Sequence, residues 1–285
     1  MKDAQLQAVF KAKLTDKEFD KLSLFIDKQV GIKMPPVKKI MLQSRLQRRL
    51  RALNLSDFKT YLEYLFSEEG QKHELIHMLD VVSTNKTDFF REPVHFDFLS
   101  QIVLPAYLNE FPSNRTMKLW SAGCSSGEEP YTIAITLSEF QKQFPGFKYH
   151  IHGTDISSRI LQKAVNAVYK EERILNIPIE LKRKYFLRSK DRQNPTVRVI
   201  SDLRKMVSYS RLNFMDNTYQ VPDTYDLIFC RNVLIYFNRE TQEKVIQRLC
   251  TKLRSGGYLF IGHSESIMGL DVPLKQIKPT IFQRL

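Results

Sequence analysis

A glycine-rich turn between an apolar strand pattern and an apolar helix pattern constrains this 285-residue chain more than any other feature. It reads Leu119-Trp120-Ser121-Ala122-Gly123-Cys124-Ser125-Ser126-Gly127-Glu128-Glu129-Pro130-Tyr131. Glycine lets the backbone turn tightly and lets a ligand approach it, and the following helix presents free N–H groups at its start. A strand, a turn and a helix in this order are typical of a nucleotide-binding loop in an α/β fold.

The spacing of the turn excludes the two common phosphate sites. A P-loop requires G-x-x-x-x-G-K-[ST] and a dinucleotide site requires G-x-G-x-x-G, and neither stands here. Instead, Glu128 and Glu129 occupy the place where a pyrophosphate would sit on the helix dipole. Carboxylates repel a pyrophosphate, but they suit a cofactor that carries an ammonium and a sulfonium. The turn therefore predicts binding of S-adenosylmethionine.

Length and composition indicate one larger and one smaller domain. Apolar residues make up 42% of the chain, which is enough to bury a core. No apolar run approaches the roughly 20 residues that span a bilayer, and the N-terminus lacks the apolar core of a signal peptide. We therefore expect a cytoplasmic protein with no segment inserted in a membrane. The three cysteines lack C-x-x-C spacing, which predicts reduced thiols.

The formal charge of +13 favours an acidic partner, and two segments carry most of the excess. Residues 33–51 include seven basic and no acidic residues, and residues 182–211 include ten basic and two acidic ones. The first segment predicts a helix with an apolar stripe of leucines. The arginines outside that stripe are Arg45, Arg48, Arg49 and Arg51. Such a charge run is often only a solvated helix face, but the absence of acids favours a partner-binding surface.

The first eighty or so residues predict an all-helical domain, residues 1–82. Thr15-Asp16-Lys17-Glu18 has the pattern of a capping box, and apolar residues follow at helical spacing. His73 and His77 lie four residues apart on a predicted helix, a spacing that can hold zinc. Because the sequence places no further ligand cluster near them, we expect no metal site in this chain.

The rest of the chain, residues 83–285, predicts an α/β domain. From residue 118 onward strand and helix patterns alternate, which implies a doubly wound parallel sheet. Two strand patterns, at residues 196–200 and 206–209, occur where the alternation of strands and helices predicts a helix. We therefore expect a small antiparallel, β-rich insertion at about residues 178–210.

Polar residues follow four of the predicted strands, at the ends where a doubly wound sheet binds ligands. The first set is the glycine-rich turn. Asp155 follows the second strand, where a carboxylate can accept both ribose hydroxyls, and Asn213 follows a third, where its amide can pair with adenine. The fourth set is Arg231, Asn232 and Tyr236. Any one of these four sets could serve only as a helix cap or a turn. Because all four stand in order at the strand ends of one α/β pattern, a cofactor site is favoured.

Four motifs stand in order along the chain: NKTDFFRE at 85–92, SAGCSSGEEPY at 121–131, DLIFCRNVLIYF at 226–237 and GHSES at 262–266. Together they resemble the chemotaxis receptor methyltransferases, the CheR family. The similarity runs over nearly the whole chain, including the N-terminal helices and the β insertion. The resemblance implies methyl transfer from S-adenosylmethionine to glutamate side chains of membrane chemoreceptors. Glutamyl methyl esters and S-adenosylhomocysteine would be the products.

The resemblance also implies the site residues. Those expected to contact the cofactor are Asn85, Thr87, Arg91, Glu129, Asp155, Asn213, Phe214, Arg231 and Asn232, to which the turn adds Gly123. Arg91 and Tyr236 are expected to border the reacting centre, and residues 85–91 to form a lid over the cofactor. Because a glutamate with a pKa near about 4.3 is an anion at neutral pH, the reaction needs no general base.

The same family implies the partner. The methylated regions of chemoreceptors are helical bundles rich in glutamate, and the helix with Arg45, Arg48, Arg49 and Arg51 is expected to lie along one. We expect a monomer that is recruited to membrane chemoreceptors and binds no nucleic acid. Some family members dock a receptor tail on the β insertion through a Gly-x-Gly turn. Residues 188–192 stand there without a glycine, which predicts that no tail tether is needed.

Two other functions remain open at this point. A basic S-adenosylmethionine enzyme can methylate RNA, but exposed aromatics interleaved with basic residues do not stand out. A non-catalytic signalling module could bind the cofactor or a receptor without turnover. The residues that argue against such a module are Arg91, Glu129, Asp155, Asn232 and Tyr236.

Overall fold

The computed structural model describes residues 12–111, 115–222 and 224–285, and the chain divides into two compact units. The first unit extends to Thr84 and includes two short later segments, residues 156–158 and 236–238. The second unit holds the rest. The division lies two residues beyond the expected boundary. In the sequence, the two short segments follow strands of the α/β pattern. Their assignment to the helical unit rests on tertiary contacts, which a sequence pattern does not reveal.

The first unit is helical. Its helices are α1 (Asp16–Val30), α2 (Lys39–Leu53), α3 (Phe58–Phe66), α4 (Glu68–His73) and α5 (Leu75–Val82), with a 3₁₀ turn at Pro36–Lys38. The predicted capping box is confirmed, because the Thr15 hydroxyl accepts the N–H of Glu18 and the Glu18 carboxylate accepts the N–H of Thr15. The leucine stripe of α2 is buried in the core of this unit, at Leu42, Leu46 and Leu50.

The helix predicted around His73 and His77 is in fact two helices. α4 ends at His73, and α5 begins two residues later. Between them lies Glu74, a buried carboxylate that binds Arg49 and accepts the hydroxyl of Tyr61. The break puts the two histidines on different helices, both exposed. Their spacing of four therefore does not place them on one helix face.

Two of the four arginines expected to face a partner are engaged inside the first unit. Arg49 Nε and Nη2 lie 2.8 and 2.7 Å from the two oxygens of Glu74, whose side chain is 1% exposed. Arg45 donates to main-chain carbonyls at the end of α5. Arg48 and Arg51 are exposed. The exposed side of α2 therefore offers two arginines, and the other two hold the helices together.

The remaining elements form the α/β part of the chain. The strands are β1 (Thr116–Ala122), β2 (Lys148–Asp155), β3 (Val168–Lys170), β4 (Phe186–Arg188), β5 (Thr196–Val199), β6 (Val207–Arg211), β7 (Tyr225–Cys230), β8 (Leu253–Ile261), β9 (Leu274–Lys278) and β10 (Ile281–Arg284). The helices are α6 (Val94–Phe98), α7 (Leu104–Glu110), α8 (Glu128–Gln143), α9 (Ser158–Asn166), α10 (Ile179–Tyr185), α11 (Ser201–Lys205) and α12 (Arg239–Lys252). A π turn spans Leu99–Val103, and 3₁₀ turns span Glu171–Ile174 and Leu234–Tyr236. Among the described helices, none is both long enough and apolar enough to cross a bilayer.

The main sheet of the second unit has the strand order β6-β2-β1-β7-β8-β10-β9. Its first five strands run parallel, and β10 pairs antiparallel with both β8 and β9. β7 is buried along its whole length, as expected of a central strand covered on both faces. The strand order reverses at β1, between β2 and β7. The crevice at the carboxyl ends of these strands is where such folds bind ligands.

The expected small antiparallel sheet is present, with different bounds. Its strand order is β3-β5-β4, and its strands lie within residues 168–199 rather than 178–210. The strand predicted at 206–209 belongs to the main sheet, where Tyr209 pairs with Gly153 of β2. The helix due before that strand is α11, which has five residues. So short a helix shows no periodic signal in the sequence.

Replacing Arg49 with alanine is expected to destabilise the first unit. The change leaves the buried Glu74 carboxylate without its cation, and removing one partner of a buried ion pair costs about 3–5 kcal/mol. Urea unfolding followed by circular dichroism measures the loss. Arg48→Ala is the matched control on the exposed side of the same helix, with an expected change below about 0.5 kcal/mol. Equal losses in the two variants would contradict the structural role of the ion pair.

Candidate cofactor-binding site

The glycine-rich turn links β1 to α8 and is held against the end of β2. The N–H groups of Gly123 and Cys124 both lie 2.8 Å from the carbonyl oxygen of Thr154. Gly123 has a φ of +86°, and a Cβ there would lie 2.5 Å from Val233 Cγ2. Gly127 has a φ of +96°, and a Cβ there would lie 2.9 Å from a side chain of α9. Both positions therefore require glycine.

Asp155, at the end of β2, is bound to this turn. Its Oδ2 accepts the N–H of Ser125 at 2.9 Å, and the residue is buried. The Ser125 hydroxyl in turn donates to the carbonyl of Asn85 at 3.2 Å. A carboxylate at the end of the strand beside β1 is well placed for the ribose of a nucleoside. The structure thus brings together Asp155, the glycine turn and the start of the 85–91 segment.

Glu129, in the first turn of α8, lies at the centre of an ion network. Its Oε1 accepts the hydroxyl of Ser121 at 2.6 Å, and its Oε2 lies 3.0 Å from Arg231 Nη1. Arg231 Nη2 lies 2.9 Å from Glu92 Oε2 and also donates to the carbonyl of Arg91. The Arg231 side chain is only 2% exposed. Arg231 therefore lies between two carboxylates, which we call the Arg231 network.

The charge of the Arg231 network is negative. Two carboxylates, Glu92 and Glu129, face one guanidinium. Burial acts to raise the pKa of Glu92, but the charge and hydrogen bond of Arg231 outweigh it, so that pKa lies below its usual value. A carboxylate has about four lone-pair sites, so Glu129 can accept a further donor. This environment fits the ammonium and sulfonium of S-adenosylmethionine.

Glu128, the other acid of the turn, pairs with residues outside the Arg231 network. Its Oε2 accepts the hydroxyl of Ser126 at 2.6 Å, and its Oε1 lies 2.9 Å from Arg173 Nη2. Arg173 also lies 2.8 Å from Asp88 Oδ1 and donates to the carbonyl of Thr87. Glu128 is buried and serves to join the turn to the 85–91 segment.

The segment predicted to be a lid is anchored by Phe89. This side chain is buried, and its ring packs edge-on against the rings of Tyr169 and Phe186, with centroids 5.0 and 5.4 Å away. Arg91, half-buried in the same segment, donates to the carbonyl of Lys86 at 3.1 Å. The segment is therefore held in one conformation by aromatic packing and by its own hydrogen bonds.

Two further strand ends contribute Asn213, Phe214 and Asn232. Asn213 Oδ1 accepts a main-chain N–H two residues on, at 3.0 Å, which shapes the turn after β6. The Phe214 ring is buried, and its edge lies 3.7 Å from where a Cβ on Gly123 would stand. Asn232 has a φ of +59°, and its Nδ2 lies 3.5 Å from Glu92 Oε1. Asn232 thus belongs to the surroundings of the Arg231 network.

Tyr236 belongs to the helical unit. Its carbonyl accepts the N–H of Lys33 at 3.2 Å, and Lys38 Nζ lies 5.9 Å from the centroid of its ring. The side chain is half-buried. Tyr236 lies four residues after Asn232 in the sequence, at the end of the 3₁₀ turn that follows β7.

Glu265 is a site residue to which the sequence analysis assigned no role. Its carboxylate accepts four main-chain N–H groups, from Gly262 at 2.5 Å, Leu234 at 2.7 Å, Val233 at 2.8 Å and Asn232 at 2.9 Å. Burial raises the pKa of Glu265, and these N–H groups oppose that shift. The bonds clamp the loop after β7. The available signal was a glutamate four residues after the end of an apolar strand, in the GHSES motif, because a buried carboxylate requires partners.

Comparisons with known proteins identify the family of both domains. Residues 85–282 match the CheR methyltransferase, SAM binding domain, and residues 17–83 match the CheR methyltransferase, all-alpha domain. The chain is 38% identical over 274 residues to the chemotaxis protein methyltransferase of Borreliella burgdorferi, covering 95% of each chain. It is 36% identical over 268 residues to that of Escherichia coli, covering 93% of this chain and 90% of the other. Chemotaxis protein methyltransferase 2 of Pseudomonas aeruginosa is 34% identical over 269 residues, covering 94% and 93%.

Replacing Glu265 with glutamine is expected to weaken binding of S-adenosylmethionine while the chain remains folded. The amide nitrogen would face main-chain N–H donors and release the loop that carries Asn232. Losing one such bond to a charged acceptor costs about 1.5–3 kcal/mol, which corresponds to at least about a tenfold rise in Kd. Calorimetric titration with S-adenosylmethionine measures the change.

The matched control is Glu240→Gln, because Glu240 forms an exposed ion pair with Lys244 on α12. This variant is expected to bind the cofactor as the unmodified protein does. If both glutamine variants bind S-adenosylmethionine equally well, the clamp is not what positions the loop.

Proposed function

The chain belongs to the CheR methyltransferase family, and we propose that it transfers the methyl group of S-adenosylmethionine to glutamate side chains of chemoreceptors, for sensory adaptation in chemotaxis. The observation that carries the proposal is the negative Arg231 network beside a turn that requires glycine at position 123. The similar proteins named chemotaxis protein methyltransferase support the acceptor class. The products would be glutamyl 5-O-methyl esters and S-adenosylhomocysteine.

Most of the proposed cofactor contacts lie just beyond the carboxyl ends of the strands. Asp155 would hold the ribose hydroxyls, and Glu129 would accept the ammonium. The residues proposed to surround S-adenosylmethionine are Asn85, Thr87, Arg91, Gly123, Glu129, Asp155, Asn213, Phe214 and Asn232. Arg231 is buried between carboxylates and would act through Glu129, by holding its carboxylate in position.

The reaction requires alignment rather than proton transfer. Bound S-adenosylmethionine supplies a methyl group activated by its sulfonium. The acceptor glutamate is already an anion at neutral pH, so the protein has to orient the carboxylate and exclude water. We assign the orienting role to Arg91 and Tyr236. A guanidinium has five N–H donors, so Arg91 can bind a carboxylate while it holds the Lys86 carbonyl.

The two other functions are not favoured. The family matches cover the helical domain as well as the cofactor domain, and the cofactor residues are all present. The similar proteins are named chemotaxis protein methyltransferase, which favours an enzyme that acts on a chemotaxis protein. We propose a cytoplasmic monomer that is recruited to receptors and has no nucleic-acid partner.

The proposal predicts transfer of labelled methyl from S-adenosylmethionine to chemoreceptor-containing membranes. Mild alkali is expected to release the label as volatile methanol, because glutamyl methyl esters are base-labile. Arg91→Ala should lower the rate by at least about 100-fold through loss of carboxylate orientation. Arg192→Ala, at an exposed position in the hairpin between β4 and β5, is the control and should not change it. Cofactor binding without transfer, or base-stable label on RNA, would contradict the proposal.

The exposed side of α2 is the surface we propose for receptor docking. Arg48 and Arg51 are exposed there, and Val37 and Ile40, near the start of the helix, are 86% and 80% exposed. Cations near one end of an exposed helix and apolar side chains near its other end suit a helical bundle rich in glutamate, because charge orients the encounter and apolar contact stabilises it.

The double variant Arg48→Ala/Arg51→Ala is expected to methylate receptor membranes about tenfold more slowly at low salt. The deficit should shrink as ionic strength rises, because salt screens the charges of the unmodified protein. Its affinity for S-adenosylmethionine should not change. Lys59→Ala, at an exposed position on α3, is the control. An unchanged salt dependence in the double variant would exclude α2 as the docking surface.

Independence from a receptor tail is the last part of the proposal. The turn after β4 is closed by side chains rather than by glycine, since Asp191 Oδ1 accepts the N–H groups of Gln193 and Asn194 at 2.9 and 3.3 Å. A peptide of a receptor C-terminus is therefore expected not to bind at micromolar concentrations in a calorimetric titration. Receptors with and without that tail should be methylated at equal rates. Micromolar binding, or slower methylation of the shortened receptor, would overturn this point.

A further inference from the structure

Glu92, His95 and His263 form a cluster in which both histidines lie outside the proposed reaction, while Glu92 also belongs to the Arg231 network. Glu92 Oε2 lies 3.6 Å from His95 Nδ1 and 3.9 Å from His263 Nε2. One ligand atom from each side chain lies within 4.8 Å of the other two. We propose that these three side chains form a binding site for a divalent transition metal ion of the zinc type.

His95 has the tautomer that a metal ligand requires. Its Nε2 lies 2.8 Å from Thr280 Oγ1, and that hydroxyl donates its own hydrogen to the carbonyl of Pro279 at 2.6 Å. Thr280 must therefore accept from His95, which puts the ring proton on Nε2 and the lone pair on Nδ1. Metal-binding histidines are commonly oriented by such a bond from the second ring nitrogen.

The lone pair on His95 Nδ1 is buried and has no hydrogen-bond partner among the described residues. Its nitrogen lies 3.6 Å from Glu92 Oε2 and within 4.8 Å of a ring nitrogen of His263. A buried acceptor without a donor is costly, and a metal ion would satisfy it.

The local charge suits a cation. The carboxylates of Glu92 and Glu129 share the one guanidinium of Arg231, which leaves the Arg231 network net negative, and Lys278 lines the cleft beside His263. Glu92 already binds Arg231 through Oε2, but a carboxylate has about four lone-pair sites and can bind both partners.

The spacing and access suit zinc. Zinc bonds to nitrogen and oxygen are about 2.0–2.2 Å long, so two ligands of one tetrahedral ion lie about 3.4 Å apart. The His263 side chain is 52% exposed and can rotate to close the remaining gap. A cleft of about 310 Å³, lined by His263 and Thr280, opens beside the cluster. Two histidines and one carboxylate leave a fourth position for water.

An ion at this site would act on the cofactor site. The Glu92 oxygen nearest to both histidines is also the partner of Arg231, which holds Glu129. A bound ion draws charge from Glu92 and loosens that pairing. Metal and S-adenosylmethionine should therefore oppose each other's binding, and the effect must be reciprocal.

The test uses the full chain without an affinity tag, after treatment with a chelator. Zn²⁺ is titrated by calorimetry, and Co²⁺ reports tetrahedral ligands by its visible absorption. We expect one equivalent to bind, and His263→Ala to weaken Zn²⁺ binding by at least about tenfold. The matched control is His73→Ala/His77→Ala, which removes two exposed histidines of the first unit and should bind Zn²⁺ normally.

A second measurement determines how Zn²⁺ binding affects the affinity for S-adenosylmethionine. Zn²⁺ should lower the affinity for S-adenosylmethionine several-fold in the unmodified protein and leave it unchanged in His263→Ala. Circular dichroism establishes that the variant is folded, and His263→Gln replaces it if it is not. The absence of Zn²⁺ binding at micromolar concentrations would overturn the proposal. Binding that survives His263→Ala but is lost in the His73/His77 double variant would also overturn it.

Discussion

One buried guanidinium joins parts of the second unit that are far apart in the sequence. Arg231 follows β7, Glu129 begins α8, and Glu92, 139 residues away from Arg231, precedes α6. A buried charge is costly unless it is paired, so these three side chains reach their positions only together. The glycine-rich turn, the 85–91 segment and the loop after β7 each contain or adjoin one of the three. The residues that we propose to bind the cofactor, which lie on these segments, are therefore positioned together.

Much of the architecture was predictable because it follows from local periodicity. The strand ends gather polar residues, since parallel strands bring their carboxyl ends to one edge, and the capping box at Thr15 and Glu18 is a local pattern. The structural features that the sequence analysis did not predict are either very short or depend on a side chain elsewhere in the chain. α11 has five residues, and the break at Glu74 exists because that carboxylate turns inward to meet Arg49. Neither has a periodic signature.

In the site, the sequence indicated which residues are neighbours, but not which atoms meet. Glu128 and Glu129 are adjacent, yet successive helix residues point about 100° apart, so one binds Arg173 and the other Arg231. Glu265 was part of a recognised motif without a role of its own, because three of its four N–H partners are supplied by a loop that is 31 to 33 residues away in the sequence. Pairings of this kind require the tertiary structure.

The base of the small antiparallel sheet is hydrogen-bonded to the glycine-rich turn and to the start of α8. Its Tyr169 donates to the carbonyl of Ser126 at 2.8 Å, and Arg173, just after β3, binds Glu128. The tip of the same sheet, residues 189–194, hydrogen-bonds to itself. Evolution can therefore lengthen, shorten or replace the tip without touching the methyl donor. The base of the sheet can change only together with the glycine-rich turn that it contacts. The tip is under no such constraint.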